Sequence, residues 1–214
     1  MITARTAVAA TVALLFLAGC GNGDGEDTTA AQLPTGCSSV PKPPAKDVQL
    51  SPPTDELRGP TTATVETSCG SFTIALDTQR APETTASFAQ LARQGAYNDT
   101  PFHRIEPGFV IQGGDPTGSG TGGPGYFIDE QPPRNLSYTR GIVAMAKTEA
   151  EPPGRSGSQF FVVTVPDAGL TPDYALIGTV SEGFDVVQRI EQLGTPGGTP
   201  KAPVVIRRVT IQSG

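Results

Sequence analysis

The chain of 214 residues is 36% hydrophobic and 17% charged, which is enough for one domain with a substantial core and one further segment. Its formal net charge of −6, without a long basic run, argues against nucleic acid phosphates and anionic membrane surfaces as partners. With no Trp, 9 Phe and 4 Tyr, the chain also lacks the residues for a large aromatic recognition surface.

Residues 1–19 have the pattern of a targeting segment. Arg5 supplies a short positive region, and an apolar run of about 13 residues follows, which is too short for an ordinary membrane-spanning helix. The run ends in LAGC at 17–20, which resembles a bacterial lipobox. The resemblance implies cleavage before Cys20, diacylation of Cys20 and an extracytoplasmic lipoprotein anchored to the bacterial cell membrane. A plain secretory signal with an incidental cysteine is the alternative.

Residues 20–60 have the composition of a flexible tether. The stretch GNGDGEDTTA is rich in glycine and acidic residues, and seven prolines between positions 34 and 60 favour an extended, partly polyproline II spacer. Cys37 in this segment and Cys69 beyond it form an even pair. Outside the cytoplasm such a pair can form a disulfide, which here would tie the tether to the domain; two unpaired thiols are the other possibility.

Residues 61–214 carry the periodicity of a mainly β domain. TATVET and SFTIAL alternate with period two around a turn at 68–70 and predict a hairpin. APETTASFAQLARQGAY predicts a helix over 81–97, and GFDVVQRIEQLG predicts a second helix over 183–194 with Gly194 as its C-cap. The remaining short apolar runs predict strands, so the elements indicate a closed or nearly closed antiparallel barrel with helices covering its ends.

The sequence lacks the motifs of common catalytic sites. His103 is the single histidine, and no spacing of Cys and His suits a metal ion. There is no G-x-S-x-G elbow for a catalytic serine, and GSGTGGPG lacks the GK[ST] of a phosphate-binding loop. The sequence therefore predicts neither a metal nor a cofactor.

Polar residues nevertheless recur on apolar strands. In FVIQGG, Val110 and Gln112 share one face of a strand, and in SGSQFFVV, Gln159 and Phe161 do the same. Arg104 comes from a third strand. Two amides and one cation beside apolar side chains fit a small binding site on a barrel face, or a hydrogen-bonded polar patch at the rim of the core.

Five motifs together resemble the cyclophilin family of peptidyl-prolyl isomerases. They are FHRIEPGFVIQGGD at 102–115, GTGG at 120–123, VAMA at 143–146, SGSQFFV at 156–162 and IGTV at 177–180. The resemblance covers the chain from position 61 to 213 and implies a closed eight-stranded antiparallel β-barrel capped by two α-helices. It also implies an enzyme that binds X-Pro segments and interconverts their cis and trans forms without a metal or cofactor.

The resemblance assigns roles to individual residues of the substrate groove. Arg104 matches the catalytic arginine, and Gln112 matches the glutamine that holds the substrate carbonyl and orients the arginine. His103, next to the arginine, is more simply explained as a structural, hydrogen-bonded histidine. The remaining matches are substrate-binding positions: Phe109, Val110, Phe161 and Leu170 in the proline pocket, and Gly120, Ala146, Gln159 and Tyr174 along the rest of the groove.

The chain departs from the family pattern at three places along the groove. Val110 stands where many members have Met, and Tyr174 where many have His. The connection KTEAEPPGRS at 147–156 is longer than usual and places Lys147 where Asn is expected. The longer connection alters one wall of the groove.

Three functions remain open at the level of sequence. The first is an active extracytoplasmic isomerase, a monomer that assists the folding of exported proteins by acting on their proline-containing segments. The second is a membrane-tethered module that binds proline peptides as a chaperone with little turnover, which the altered connection at 147–156 favours. The third, a structural envelope protein, has only the tether in its favour.

Overall fold

The computed structural model describes residues 32–214, so the targeting segment, Cys20 and the beginning of the tether lie outside the described residues. The described part contains two helices and eleven strands. In chain order they are β1 (Thr61–Thr67), β2 (Gly70–Leu76), α1 (Pro82–Arg93), β3 (Thr100–Pro101), β4 (Arg104–Glu106), β5 (Val110–Gly113), β6 (Ile128–Asp129), β7 (Ile142–Met145), β8 (Arg155–Ser156), β9 (Phe160–Val163), β10 (Leu176–Glu182), α2 (Phe184–Glu191) and β11 (Val205–Ser213).

Nine of these strands form one curled antiparallel sheet in the order β3-β11-β1-β2-β10-β7-β9-β5-β4, while β6 and β8 pair separately. The mainly β class and the two helices are confirmed, whereas the expected closed barrel of eight strands is not what the sheet shows. The reason lies at 100–106, where β3 pairs with β11 and β4 pairs with β5. Phe102 and His103 separate these two short strands, so no single strand joins the two edges of the sheet.

The predicted hairpin forms from β1 and β2. Burial alternates along β1, and Ala63 and Val65 point inward opposite Ile74 and Phe72 of β2. This alternation is the expected result of period-two patterning on a strand with one buried face. The hairpin supplies the middle of the sheet, where β1 also pairs with β11 and β2 with β10.

Helix α1 begins at Pro82. The first N–H groups of any helix have no partner within the helix, so proline, which lacks an N–H, suits this position. Ala81 provides no side-chain cap, and the carboxylate of Glu130 instead accepts hydrogen bonds from the backbone N–H groups of Glu83 and Thr84, at 3.1 and 2.7 Å. The apolar stripe that includes Phe88 is buried against the sheet. The helix therefore forms where the sequence predicts it, although it ends at Arg93 rather than at position 97.

Helix α2 is shorter than predicted, and its C-cap is Gln192. The prediction of Gly194 as C-cap is wrong, because the chain has already left the helix there. A Cβ at Gly194 would lie 2.4 Å from the carbonyl oxygen of Ile105, so this glycine instead allows close contact with β4. In residues 32–214, no helix is both long enough and apolar enough to cross a membrane.

The apolar side chains form two clusters on opposite faces of the sheet. The larger inner cluster contains Ile111, Phe160 and Val162, together with the buried stripes of both helices. The smaller outer cluster contains Val110 and Phe161. Alternation along β5 and β9 thus sends neighbouring side chains to different clusters, as the sequence predicts. The predicted groove residues stand on the face of the outer cluster.

The described part of the predicted tether, residues 32–60, has no regular secondary structure but lies against the domain. A disulfide joins Cys37 to Cys69 in the turn between β1 and β2, and the N–H of Ser38 donates to the carbonyl of Ser68 at 2.7 Å. The side chains of Leu33, Leu50 and Leu57 pack against the inner cluster. Burial of these apolar side chains gives the segment a reason to stay on the domain rather than extend from it. We call residues 32–57 the strap.

Candidate functional site

Three neighbouring strands place the central groove residues in one row. Arg104 of β4 lies opposite Gln112 of β5, and Gln112 lies opposite Phe161 of β9. Directly opposed residues of antiparallel strands point to the same face of a sheet. The structure therefore brings together a guanidinium, an amide and an aromatic ring that are separated by up to 57 positions in sequence, as the numbers 104 and 161 show.

Arg104 contacts both polar and aromatic neighbours. One guanidinium nitrogen donates to Glu106 Oε2 at 2.5 Å, and another donates to Gln112 Oε1 across a long 3.4 Å. The guanidinium carbon lies 5.5 Å from the centroid of the Phe109 ring. Strand β5 begins only after Phe109, so this side chain packs on the outer cluster with Val110 instead of facing inward. The arginine is thus oriented along the groove by three neighbours.

A chain of amide hydrogen bonds extends from Gln112 into the glycine-rich loop at 115–125. Gln112 Nε2 donates to Gln159 Oε1 at 3.1 Å. Gln159 Nε2 in turn donates to the carbonyls of Gly120 and Gly122, both at 3.0 Å. Each glutamine therefore acts as donor and acceptor at once, which fixes the orientation of both side chains.

A pocket of about 80 Å³ with both apolar and polar lining adjoins Arg104. Its apolar floor is formed partly by Phe161, and the Tyr174 ring meets this ring edge-on with centroids 5.4 Å apart. Tyr138 holds the Tyr174 backbone in place, because its hydroxyl donates to the Tyr174 carbonyl at 2.6 Å and accepts from the Tyr174 N–H at 2.9 Å. Burial raises the pKa of Tyr138 to about 12, so the hydroxyl keeps the proton that it donates. The pocket is lined by Arg104, Phe109, Val110, Gln112, Ala146, Lys147, Phe161, Leu170 and Tyr174.

A second cavity of about 220 Å³ continues from the first. The two share Gln112, Ala146 and Lys147, while Gly120 and Gln159 line the second alone. Together they form a groove, and every groove residue predicted from the sequence lines one of its two parts. The lipidation site Cys20 lies outside the described residues.

The connection that departs from the family pattern lines the larger cavity with Lys147, Thr148 and Glu151, and the smaller cavity with Lys147 alone. Lys147 Nζ donates to the carbonyls of Thr148 and Glu151, both at 3.2 Å, and lies 5.4 Å from the centroid of the Tyr174 ring. A cation therefore stands on the groove wall between the two cavities. Its charge gives this groove a feature that an asparagine at the same position could not supply.

The glycine-rich loop is organised by Asp115, which is fully buried. Its carboxylate accepts hydrogen bonds from the backbone N–H groups of four loop residues, Thr117, Ser119, Gly120 and Gly122, at 2.6 to 3.2 Å. A Cβ at Gly122 would lie 2.1 Å from Asp115 Oδ1, so only glycine permits this approach. Burial alone would raise the pKa of Asp115, but the hydrogen bonds from Thr117, Gly122 and Gly120 outweigh it and hold the pKa below its usual value.

His103 is half-buried, and its ring lies beside Gly120, where an added Cβ would be 3.5 Å from His103 Cδ2. Its Nδ1 is buried without a hydrogen-bond partner among the described residues, so the expected hydrogen-bonded role stays a prediction. Burial lowers the pKa of His103, an effect that the nearby Asp115 carboxylate opposes, so the imidazole is neutral at pH 7. Among residues 32–214, no three His, Cys, Asp or Glu side chains are grouped as the ligands of a metal ion would be.

Two residues of the site escaped the sequence analysis. Glu106 shares a strand face with Arg104, and period-two alternation would have found it. Asp115 begins the stretch DPTGS, in which an aspartate followed by threonine and serine is typical of a turn held by side-chain to backbone hydrogen bonds. Both residues could thus have been noticed in the sequence. The sequence does not, however, show that Glu106 pairs with Arg104 or that Asp115 is buried.

Comparison with known proteins gives one family. The family model described as cyclophilin type peptidyl-prolyl cis-trans isomerase/CLD matches residues 62–211. The peptidyl-prolyl cis-trans isomerase-like 1 protein of Aspergillus niger is 44% identical over 130 residues, which are 58% of this chain and 78% of that protein. The peptidyl-prolyl cis-trans isomerase-like 2 protein of Cryptococcus neoformans is 38% identical over 157 residues, covering 70% of this chain but only 27% of that relative.

A solved structure agrees with the sequence comparisons. The cyclophilin type peptidyl-prolyl cis-trans isomerase of Cryptosporidium parvum, crystallised in the presence of the dipeptide Ala-Pro, superposes with a TM-score of 0.66 at 31% identity. The match covers 72% of this chain and 99% of that one.

Proposed function

This chain belongs to the cyclophilin type peptidyl-prolyl cis-trans isomerase family and is a peptidyl-prolyl isomerase, and we propose that Arg104 carries its chemistry. The observation that supports this assignment most strongly is the row of Arg104, Gln112 and Phe161 across β4, β5 and β9. The row sets a cation and an amide beside the aromatic floor of a pocket of about 80 Å³.

The physics of the reaction explains why so few groups suffice. Rotation about a peptide C–N bond has a barrier of about 18–20 kcal/mol, because the bond has partial double-bond character. The cis and trans forms of an X-Pro bond differ by only about 0.5–1 kcal/mol, so a substrate population contains both. No covalent bond breaks during the rotation. The enzyme therefore needs to stabilise only the twisted state, in which conjugation is lost.

Arg104 is proposed to stabilise the twisted state through the prolyl nitrogen. When conjugation is lost, the lone pair of that nitrogen becomes available as a hydrogen-bond acceptor. A guanidinium donor then bonds more strongly to the twisted state than to either planar isomer, which is the condition for acceleration. Arginine carries its charge throughout the physiological pH range, so the step needs no proton transfer.

The remaining groove residues are proposed to hold the peptide while its bond turns. Phe109, Val110, Phe161, Leu170 and Tyr174 surround the proline ring, and Gln112 holds a substrate carbonyl while orienting Arg104. Gly120, Ala146 and Gln159 line the adjoining cavity, where the peptide residues before the proline would lie. All of these residues come from one chain. A monomer is therefore sufficient for the proposed reaction.

We further propose that the protein works outside the cytoplasm, on proline-containing segments of exported proteins. Two features support this location. The apolar run before LAGC at 17–20 has the length and position of an export signal, and Cys37 is paired with Cys69. Disulfides persist in oxidising compartments and are rare in the cytosol. Lipidation of Cys20 would keep the domain near the membrane across which its substrates emerge.

Mass spectrometry of the mature N-terminus tests this location. We expect the chain expressed in a bacterial host to begin at Cys20 with a diacylglyceryl modification and to fractionate with membranes. A Cys20→Ala variant should lose the modification and no longer fractionate with membranes, while its isomerase activity stays unchanged because all residues proposed to act in the groove lie at position 104 or beyond. An unmodified Cys20, or retention of residues 1–19 in the wild-type protein, would rule out the lipoprotein form.

A further inference from the structure

The strap contacts the glycine-rich loop at both ends of the loop. The N–H of Lys46 donates to the carbonyl of Pro116, and the N–H of Leu50 donates to the carbonyl of Pro124, each at 2.9 Å. Residues 46–50 therefore run alongside the loop and are bonded to it near its start and near its end. The family match begins only at residue 62, so this contact belongs to a part of the chain that the family pattern does not include.

Side chains of the strap reinforce the contact. The Lys46 ammonium donates to the carbonyl of Asn98, in the turn after α1. Lys46 thus holds the loop through its backbone and the body of the domain through its side chain. Gln49 lies so close to Gly125 that a Cβ there would be 2.4 Å from Gln49 Oε1. The outer side of the loop is consequently fixed by the strap.

The inner side of the same loop bonds to the groove. Gly120 and Gly122 offer their carbonyls to Gln159, which accepts from Gln112, which accepts from Arg104. Any shift of the loop moves the two carbonyls that orient Gln159. Hydrogen bonds therefore connect the glycine-rich loop to Arg104 without interruption, and the strap holds the opposite side of that loop.

The strap is itself anchored away from the groove. The Cys37–Cys69 disulfide fixes its first part to the hairpin, and the Leu50 and Leu57 side chains pack against the inner cluster. A segment anchored on both sides of residues 46–50 can hold the loop at small entropic cost, because its own freedom is already restricted.

We propose that residues 46–50 of the strap form a positioning element of the isomerase groove, with Lys46 as its principal positioning residue. The proposal rests on the assigned role of Arg104 and adds to it a residue outside the family pattern. Lys46 acts through the loop and the two glutamines and does not touch the substrate. Loss of its ammonium should leave the fold intact but let the loop move, so that Gln112 and Arg104 spend less time in the geometry that favours the twisted state.

Three variants of the full mature protein test the proposal. Lys46→Met keeps the aliphatic stem and removes the ammonium, and Lys46→Arg restores a cation. Lys42→Met is the matched control, because Lys42 lies four positions earlier on the strap and is exposed. Each is measured for kcat and KM on a short X-Pro peptide and for amide hydrogen exchange of residues 115–125.

Lys46→Met should lower kcat/KM about threefold to tenfold, mainly through kcat, and should accelerate exchange in the loop. Lys46→Arg should recover most of both losses, and Lys42→Met should show neither. Wild-type kcat/KM and wild-type exchange in Lys46→Met, or an equal effect of Lys42→Met, would overturn the proposal. Hydrogen exchange of the loop can be measured even if the protein has no isomerase activity. An inactive wild-type protein would therefore count against the assigned mechanism. Unchanged loop exchange in Lys46→Met would count against the role of the strap.

Discussion

The proposed mechanism requires Arg104 to exchange its present partners for a peptide, and these present contacts are weak. Its side chain is 42% exposed and that of Glu106 is 31% exposed, so their ion pair lies at the surface. Exposed ion pairs contribute only about 0.2–1 kcal/mol. The Gln112 contact is a long 3.4 Å. Both interactions are weaker than the proposed hydrogen bond from the guanidinium to the prolyl nitrogen, which strengthens in the twisted state.

Unlike Arg104, Asp115 is held by many hydrogen bonds, and these favour its charged form. It is fully buried, and its carboxylate is the acceptor for N–H groups along the glycine-rich loop. Hydrogen bonds to a charged acceptor each contribute more than neutral ones, and an N–H left without a partner in the interior is costly. The loop therefore depends on this one carboxylate for its conformation.

Replacing Asp115 with Asn should destabilise the domain by about 2–4 kcal/mol at pH 7, because the loop N–H groups lose a charged acceptor. The folded-state pKa of Asp115 is lowered, so its contribution is complete above the unfolded pKa and is lost as the pH falls through the folded pKa. The difference between wild type and variant should thus be constant above about pH 5 and narrow below about pH 4.

Urea unfolding across this pH range measures the effect of the Asp115 substitution. Asp185→Asn is the control, since Asp185 is 71% exposed and pairs with Arg189 on its own helix. The control should change stability little at any pH. A gap between wild type and Asp115→Asn that stays constant down to pH 2 would show that the charge of Asp115 is not what holds the loop.

Single residues of the groove were predictable where alternation alone decides their direction. Period-two patterning placed Gln112 beside Val110 on one strand and Gln159 beside Phe161 on another, and the structure shows that the two strands are neighbours. The burial of Asp115 was not predicted, because it depends on how separate segments approach one another. The Arg104–Glu106 pair lies within one strand, so period-two alternation could have indicated it. Lys147 was recognised only as a departure from the family pattern, and its position between two cavities needed the fold.

At the scale of elements, the sequence located helices and strands better than it located their ends. The caps explain the difference. Helix α1 is capped by Glu130, which lies 47 and 46 positions away from the two N–H groups it accepts. No local pattern around Pro82 can reveal such a partner. Gly194 had the residue type of a C-cap, but its conformation serves packing against Ile105.

The strap is the element whose behaviour composition predicted least well. High proline and glycine content favours an extended spacer, and the described residues 32–60 are indeed without regular structure. Three leucines spaced along the segment nevertheless pack on the domain, and a disulfide holds it there. Composition describes the backbone of a segment, whereas a few apolar anchors decide whether it stays on a surface.

Removing the disulfide should lower the stability of the domain substantially. The bond closes a loop with a sequence separation of 32, for which the loss of chain entropy in the unfolded state corresponds to about 2–4 kcal/mol. We expect the double variant Cys37→Ser, Cys69→Ser to unfold at a correspondingly lower urea concentration. Reduced wild-type protein should match the variant, and a reductant should not affect the variant further. Equal stability of oxidised wild type and variant would contradict a stabilising role for the bond.

At the scale of the whole molecule, the two faces of one curled sheet have different roles. Its inner face packs against both helices and forms the main core, while its outer face carries the groove. The sequence predicted the mainly β class and the two covering helices. It did not predict that the edges of the sheet would be the short strands β3 and β4. The sequence indicated one strand at about 102–105, and only the fold shows that residues 100–101 and 104–106 have different pairing partners.

The described groove residues all belong to one chain, and the proposed chemistry rests on the guanidinium of Arg104. The pocket, the two glutamines and the glycine-rich loop all converge on Arg104. If these groups serve to stabilise a twisted amide, removal of the guanidinium should abolish most of the acceleration while leaving peptide binding largely intact. If they serve only to bind proline peptides, the wild-type protein should bind them without turning them.

Isomerisation of a short X-Pro peptide by wild type and Arg104→Ala is therefore the most direct measurement. Arg208→Ala is the matched control, because Arg208 also pairs with a carboxylate, Glu66 at 2.6 Å, but lies on β11 away from the groove. We predict that Arg104→Ala loses at least about 100-fold in kcat/KM, as expected when a transition-state donor is removed, and that Arg208→Ala retains wild-type turnover. Wild-type turnover in Arg104→Ala would contradict the assigned mechanism, and a wild-type protein that binds the peptide without catalysis would contradict the activity itself.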